Sequence, residues 1–211
     1  MKKSRYPGVF TDGKDYYTPT TSHHSVYGER VIKRGKLFYR MWTPSRSKLA
    51  AAMKLGLRTF PFKDSKVLYL GASTGTTVSH ISDIAALVWA VEISPVSVYK
   101  LLSLAERRMN IIPLLMDARE VDKLSLFVFE PEVLYQDVSQ RDQITIFIRN
   151  MMRFKPRYGF LMLKTRTIDM RKAPREILKV ARKRIGEMYA VEEIINLSRY
   201  QRDHYAIVVK G

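Results

Sequence analysis

The chain has 211 residues and a mass of 24.6 kDa, long for one compact domain and short for two full ones. It is 46% hydrophobic and 27% charged, which excludes a disordered polymer, and 37 Lys and Arg against 20 Asp and Glu leave a net charge of +17. The absence of cysteine removes disulfide frameworks, thiolate nucleophiles, zinc knuckles and iron–sulfur sites, and so basic a surface suits a polyanion, nucleic acid first.

Met1-Lys2-Lys3-Ser4 leads into Tyr6-Pro7-Gly8 and not into an apolar signal core. The longest apolar run, Ile84 to Val91, is far below the ~20 residues of a membrane span. The expectation is a soluble cytoplasmic protein with no membrane partner. Residues 1–43 alternate short β-type runs, such as Val31-Ile32 and Leu37 to Trp42, with turn signals. They predict a small antiparallel unit of hairpins, too small to stand alone.

From Pro44 to residue 211 the pattern changes. A helix is predicted over Ser47–Leu57, then a buried strand over Lys66–Leu70. Further strands are predicted at Leu87–Ile93, Ile111–Met116, Val133–Asp137, Phe160–Lys164, Ala190–Leu197 and His204–Val209. Further helices are predicted at Thr76–Ala85, Val96–Met109, Gln140–Phe154 and Pro174–Met188. This alternation predicts an α/β fold, a Rossmann-like, mostly parallel sheet covered on both faces. No long helix separates the last two strands, so they are predicted to form an antiparallel edge pair.

The strongest local signal is Leu70-Gly71-Ala72-Ser73-Thr74-Gly75-Thr76-Thr77, where a strand meets a helix through a small-residue turn. Gly71 and Gly75 would let backbone approach a ligand at a helix N-terminus. The spacing is not the G-x-G-x-x-G of nicotinamide folds and fits better the turn of S-adenosylmethionine (SAM) methyltransferases. On the turn alone, a tight connection without a ligand stays open. Glu92, Asp117 and Asp137 follow or end three successive strands, where such sheets bind ligands. His23, His24 and His80 lack ligand-spaced partners, so no metal is expected and His80 reads as structural. Residues 149–184 hold 13 basic and two acidic residues, a net +11, which points to RNA backbone contact.

Longer motifs are more specific. Tyr39 to Ala52 (Tyr-Arg-Met-Trp-Thr-Pro-Ser-Arg-Ser-Lys-Leu-Ala-Ala-Ala) and Val67 to His80 closely resemble fibrillarin. Asn110-Ile-Ile-Pro113, Asp117-Ala-Arg119, Asp137-Val-Ser-Gln140 and Arg202-Asp-His204 match that family in order, and the likeness runs from Gly8-Val9-Phe10 almost to the C-terminus. The pattern is that of archaeal-type members, without the Gly/Arg-rich tail of eukaryotic ones, whose location would be nucleolar. The resemblance implies a SAM-dependent 2′-O-methyltransferase for rRNA and tRNA, working in a box C/D particle. Its partners there would be a guide RNA and substrate RNA, a Nop-family scaffold protein and a kink-turn-binding ribosomal-type protein.

By family position, Thr76, Thr77, Glu92, Ile93, Asp117, Ala118, Asp137 and Gln140 would contact SAM, beside the Gly71, Ala72 and Gly75 turn. The family's Lys-Asp-Lys-His set falls on Lys48, Asp137, Lys164 and His204. Lys164 would be the base or orienter of the ribose hydroxyl, Lys48 would lower its pKa and contact phosphate, Asp137 would hold it, and His204 would support the ribose side. Without the resemblance, Lys48 reads as a solvated lysine and His204 as a satisfied one. Arg46, Lys48, Arg166, Arg171, Lys172 and Arg175 are the RNA-contact candidates. Three features depart from the family pattern: Thr43-Pro44-Ser45, Ile93 where an aromatic is usual, and a shortened loop at Ala85-Ala86-Leu87. A stand-alone RNA methyltransferase and a non-catalytic basic subunit remain the alternatives.

Overall fold

The computed structural model describes residues 1–21 and 23–211. A five-stranded antiparallel sheet comes first: β1 (Lys2–Lys3), β2 (Phe10–Thr11), β3 (Tyr16–Thr20), β4 (Val31–Arg34) and β5 (Leu37–Met41), in the order β1-β2-β3-β5-β4. Tyr6, Val9 and Trp42 from this segment are buried in the same core as α1 (Lys48–Lys54). That contact supplies the apolar surface that so small a sheet lacks by itself.

The second sheet has seven strands. They are β6 (Lys66–Leu70), β7 (Leu87–Glu92), β8 (Ile111–Leu115), β9 (Val133–Gln136), β10 (Tyr158–Lys164), β11 (Ala190–Asn196) and β12 (His204–Lys210), in the order β11-β12-β10-β9-β6-β7-β8. Strands β6 to β10 run parallel, and β12 is antiparallel to both β10 and β11. The predicted fold class holds. The strand side chains alternate between two cores. Val67 and Tyr69 face one, with α1, α2 (Thr76–Ser82) and the N-terminal segment; Leu68 and Leu70 face the other. The second core is closed by α5 (Gln143–Phe154) and α7 (Pro174–Gly186).

Helix ends follow local chemistry and trim the predicted spans. Ser47 caps α1, which stops at Lys54 because Gly56 turns left-handed (φ +100°) and the Leu57 N–H returns to the Ala52 carbonyl at 2.9 Å. Ser94 caps α3 (Pro95–Ala105), with Pro95 at its first position. Two one-turn helices, α4 (Val121–Leu124) and α6 (Thr165–Ile168), are too short to leave a 3.6-residue pattern in the sequence.

A buried polar network joins the N-terminal sheet to α2. Arg40 is fully buried, 2.6 Å from Glu29 and 2.8 Å from Asp83, and it also donates to Ser79. His80 lies stacked on Trp42 with ring centres 4.9 Å apart. Thr18 donates to Asp83 at 2.5 Å, so it must accept from His80 Nδ1 at 2.8 Å, which leaves Nε2 to accept from the Tyr27 hydroxyl at 2.7 Å. Burial, followed by Arg40 and Arg108, drives the His80 pKa well below its usual value, so the ring is neutral. The structural reading of His80 is therefore correct.

No helix among the described residues is long and apolar enough to cross a membrane. No group of three or more potential metal ligands occurs among them.

Candidate active site

The chain enters the main sheet at β6, builds outward through β7 and β8, then returns to β9 on the other side of β6. Strand ends diverge at such a switch point and leave a crevice. Here a cleft of about 490 Å³ lies outside the carboxyl ends of β6, β7 and β9. Gly71, Ala72, Thr76 and Thr77 line it from the turn and α2. Glu92 and Ile93 line it from the end of β7, and Ala118, Asp137 and Gln140 from the segments after β8 and β9.

Gly71 (φ +83°) is required by a close approach of backbones. A Cβ there would lie 2.9 Å from the Asp137 carbonyl and the Val138 nitrogen. The missing side chain thus lets the end of β9 sit against the turn. Gly75 (φ +87°) has another cause. Its Cβ would meet Leu104 at 2.6 Å and Leu101 at 3.0 Å, so it makes room for α3 and does not line the cleft.

Glu92 staples the turn to α3. Its carboxylate accepts from the Ser73 N–H at 2.7 Å and from the Ile93 and Ser94 N–H groups at 2.9 Å. Asp117 turns to its own neighbour, taking the Arg119 backbone N–H at 2.9 Å and the guanidinium at 3.0 Å. It does not line the cleft, although Met116 and Ala118 on either side do.

Lys48, Asp137 and Lys164 converge from three distant segments. Ser47 fixes the start of α1, its hydroxyl oxygen accepting from the Trp42 indole N–H, the Thr77 hydroxyl and the Ala50 N–H, and so places Lys48 at the first helical position. Lys48 Nζ is 3.1 Å from Asp137 Oδ2, and Lys164 Nζ is 3.0 Å from Oδ1. Lys164 Nζ also donates to the Asp137 carbonyl at 2.9 Å and to Ser139 Oγ at 2.5 Å. Burial pushes the Lys164 pKa down; the Asp137 carboxylate opposes this and Lys48 adds to it. Asp137 Oδ1 is buried and has no aligned hydrogen bond, its contact with Lys164 being an ion pair only.

His204 opens β12 directly across from Lys164. Its Nδ1 lies 2.6 Å from the Arg202 carbonyl, which can only accept, so Nδ1 carries the proton. Burial lowers its pKa. It does not line the cleft.

Of the RNA-contact candidates, Arg46 and Lys48 line the cleft. Arg166 is engaged by Asp203 at 3.0 Å and by the Met170 carbonyl at 2.9 Å, which braces the turn before His204. Arg171 and Lys172 are exposed between α6 and α7, and Arg175 is exposed in the first turn of α7.

Sequence reasoning missed Ser139 and Gln143. Ser139 stands two residues after Asp137, inside a motif already singled out. Gln143, fully buried, donates to the Lys164 carbonyl at 3.1 Å and accepts from the Lys164 N–H at 2.8 Å. A glutamine in the first turn of a helix gives no signal of such a clamp.

A fibrillarin family model matches residues 1–211. The chain belongs to the fibrillarin family. It is 48% identical over 200 residues to a fibrillarin-like rRNA/tRNA 2′-O-methyltransferase of Thermoplasma acidophilum, covering 93% of this chain and 86% of that one. Its fold matches Aeropyrum pernix fibrillarin in complex with natively bound S-adenosyl-L-methionine (TM-score 0.88, 34% identity, 99% and 96% of the two chains). It also matches a chain of a fibrillarin/Nop5p complex (TM-score 0.89, 37% identity, 99% of each chain). The cleft of this fibrillarin-family chain fits SAM chemically. The cationic ligand would meet two carboxylates, Glu92 and Asp137, a buried acceptor in Oδ1, and apolar contacts from Ile93, Met116 and Ala118.

Proposed function

We propose that this chain is the catalytic subunit of a box C/D guide particle, moving a methyl group from SAM to a ribose 2′-hydroxyl of rRNA and tRNA. The reaction class and the cofactor come from membership of the family, together with relatives named for that methylation and a relative that holds SAM natively. The observation that carries the reading is the meeting of Lys48, Asp137 and Lys164 at the edge of the cleft.

Glu92 and the Gly71 turn would hold the cofactor, with Ile93 and Ala118 against its apolar part. Asp117 would enter only by leaving Arg119. SAM supplies a sulfonium-activated methyl group, so an aligned attacker and modest proton removal suffice. Lys164 takes the 2′-hydroxyl proton. Burial and the nearby Lys48 favour its neutral amine, while Asp137 keeps it in place. Neutral His204, across the strand pair, supports the ribose side. Residues 1–43 act as a unit that braces the methyltransferase domain of residues 44–211.

The Nop5p complex of a relative supports a Nop-family scaffold as partner. Selection of the nucleotide falls to a guide RNA held by that scaffold and a kink-turn-binding protein. The run of basic residues from 149 to 184 favours a second reading, an enzyme that finds RNA without a guide. Transfer of labelled methyl from SAM, with guide RNA and scaffold added or withheld, separates the two. Ribose label only in the full particle is expected. Label from the lone chain would favour the second reading, and base label would overturn both.

A further inference from the structure

Lys164 Nζ makes two hydrogen bonds of different kinds. The Asp137 carbonyl, at 2.9 Å, has no hydrogen and can only accept. Ser139 Oγ, at 2.5 Å, can accept or donate. The third contact, Asp137 Oδ1 at 3.0 Å, is an ion pair with an acceptor-only oxygen. Ser139 is therefore the partner in contact with Nζ, among the described residues, that carries a hydrogen of its own. It is exposed and lines the cleft, so its hydroxyl faces both the lysine and water.

We propose that Ser139 is a positioning residue for methyl transfer: its hydroxyl accepts from the Lys164 ammonium and turns to donate into the lone pair of the neutral amine. The inference rests on the reading of Lys164 as the base. A neutral amine held by acceptors alone would point its lone pair at a carbonyl or a carboxylate, which is repulsive. A hydroxyl that reverses its role removes that conflict in one state without weakening the other.

The same geometry gives the proton a way out after each turnover. Ser139 Oγ accepts a proton from the Lys164 ammonium and releases its own hydroxyl proton to water in the cleft. The amine and the hydroxyl are both regenerated, and nothing is oxidised or reduced. The other groups that bear on Lys164 do not reverse in this way. Asp137 just after β9 and Glu92 at the end of β7 accept only, Lys48 on α1 donates only, and His204 on β12 has its Nδ1 proton committed to Arg202.

A hydrogen bond to a charged donor is stronger than one to its neutral form, so loss of the hydroxyl disfavours the ammonium. The experiment follows the Lys164 side-chain carbon resonance against pH in the SAM-free protein, assigned with Lys164→Arg. It then records the pH dependence of single-turnover methyl transfer in the guide particle. Ser139→Ala should lower the Lys164 midpoint by roughly one pH unit, the scale of one hydrogen bond to a charged group. The acid limb of the rate profile should move with it, and Ser139→Thr should restore both. An unchanged midpoint in Ser139→Ala overturns the role of Ser139 and leaves the base reading intact. A shifted midpoint with an unmoved rate profile overturns Lys164 as the base.

Discussion

Lys164 and His204 are register partners, paired across the antiparallel strands β10 and β12. One ends a strand and the other begins one, so both fall at the edge of the sheet where the cleft opens. The antiparallel reversal of β12 is what brings a residue near the end of the chain beside the carboxyl ends of parallel strands. A seventh parallel strand would begin at the opposite edge.

Asp137 lies between two lysines, one on each oxygen. Asp137→Asn keeps the shape and removes the charge that holds them together. Methyl transfer in a single turnover should fall by at least ~100-fold, the lower range for a group central to proton transfer, with the circular dichroism spectrum unchanged. A loss within a few-fold would show that the carboxylate does not organise the site.

The two turn glycines should separate stability from activity. Alanine at either one faces a left-handed backbone, a cost of about 1–2 kcal/mol. At Gly71 the added methyl also strikes the Asp137 and Val138 backbone, whereas at Gly75 it strikes the movable ends of Leu104 and Leu101. Both variants should unfold at lower denaturant, but only Gly71→Ala should lose more than ~10-fold in methyl transfer, the order of effect expected when reacting groups are displaced. Equal activity losses would refute this division.

His80 is held neutral in the folded chain, with its pKa well below the ordinary 6.5. Its contribution is complete above about pH 6.5 and is lost as pH falls toward the folded value, because the unfolded chain then binds the extra proton. Within that window the wild type should lose about 1.4 kcal/mol per pH unit relative to His80→Gln, from one proton of linkage. Urea unfolding of both proteins at several pH values measures the difference, and parallel pH dependences would contradict it.

Arg171, Lys172 and Arg175 stand exposed beyond the strand that ends in Lys164. If they contact phosphates, changing all three to Ala should make the salt dependence of RNA binding shallower by about 2, from ~0.7 per contact on a single strand. Fluorescence anisotropy over a salt series reads this slope. An unchanged slope would place the RNA path elsewhere.

The sequence by itself determined the fold class, the turn after β6, the strand ends that carry Glu92 and Asp137, and the family motifs with Lys48, Lys164 and His204. All of these are local: a strand period, a glycine turn or a contiguous motif is written in neighbouring residues. Only the tertiary structure decided that Gly75 packs against α3, that Asp117 faces Arg119, that Arg166 braces Asp203, and that Gln143 and Ser139 attend Lys164. Each of these is a choice among several partners of similar chemistry. That choice is made by strand order and by a few ångströms of side-chain reach, neither of which leaves a pattern along the chain.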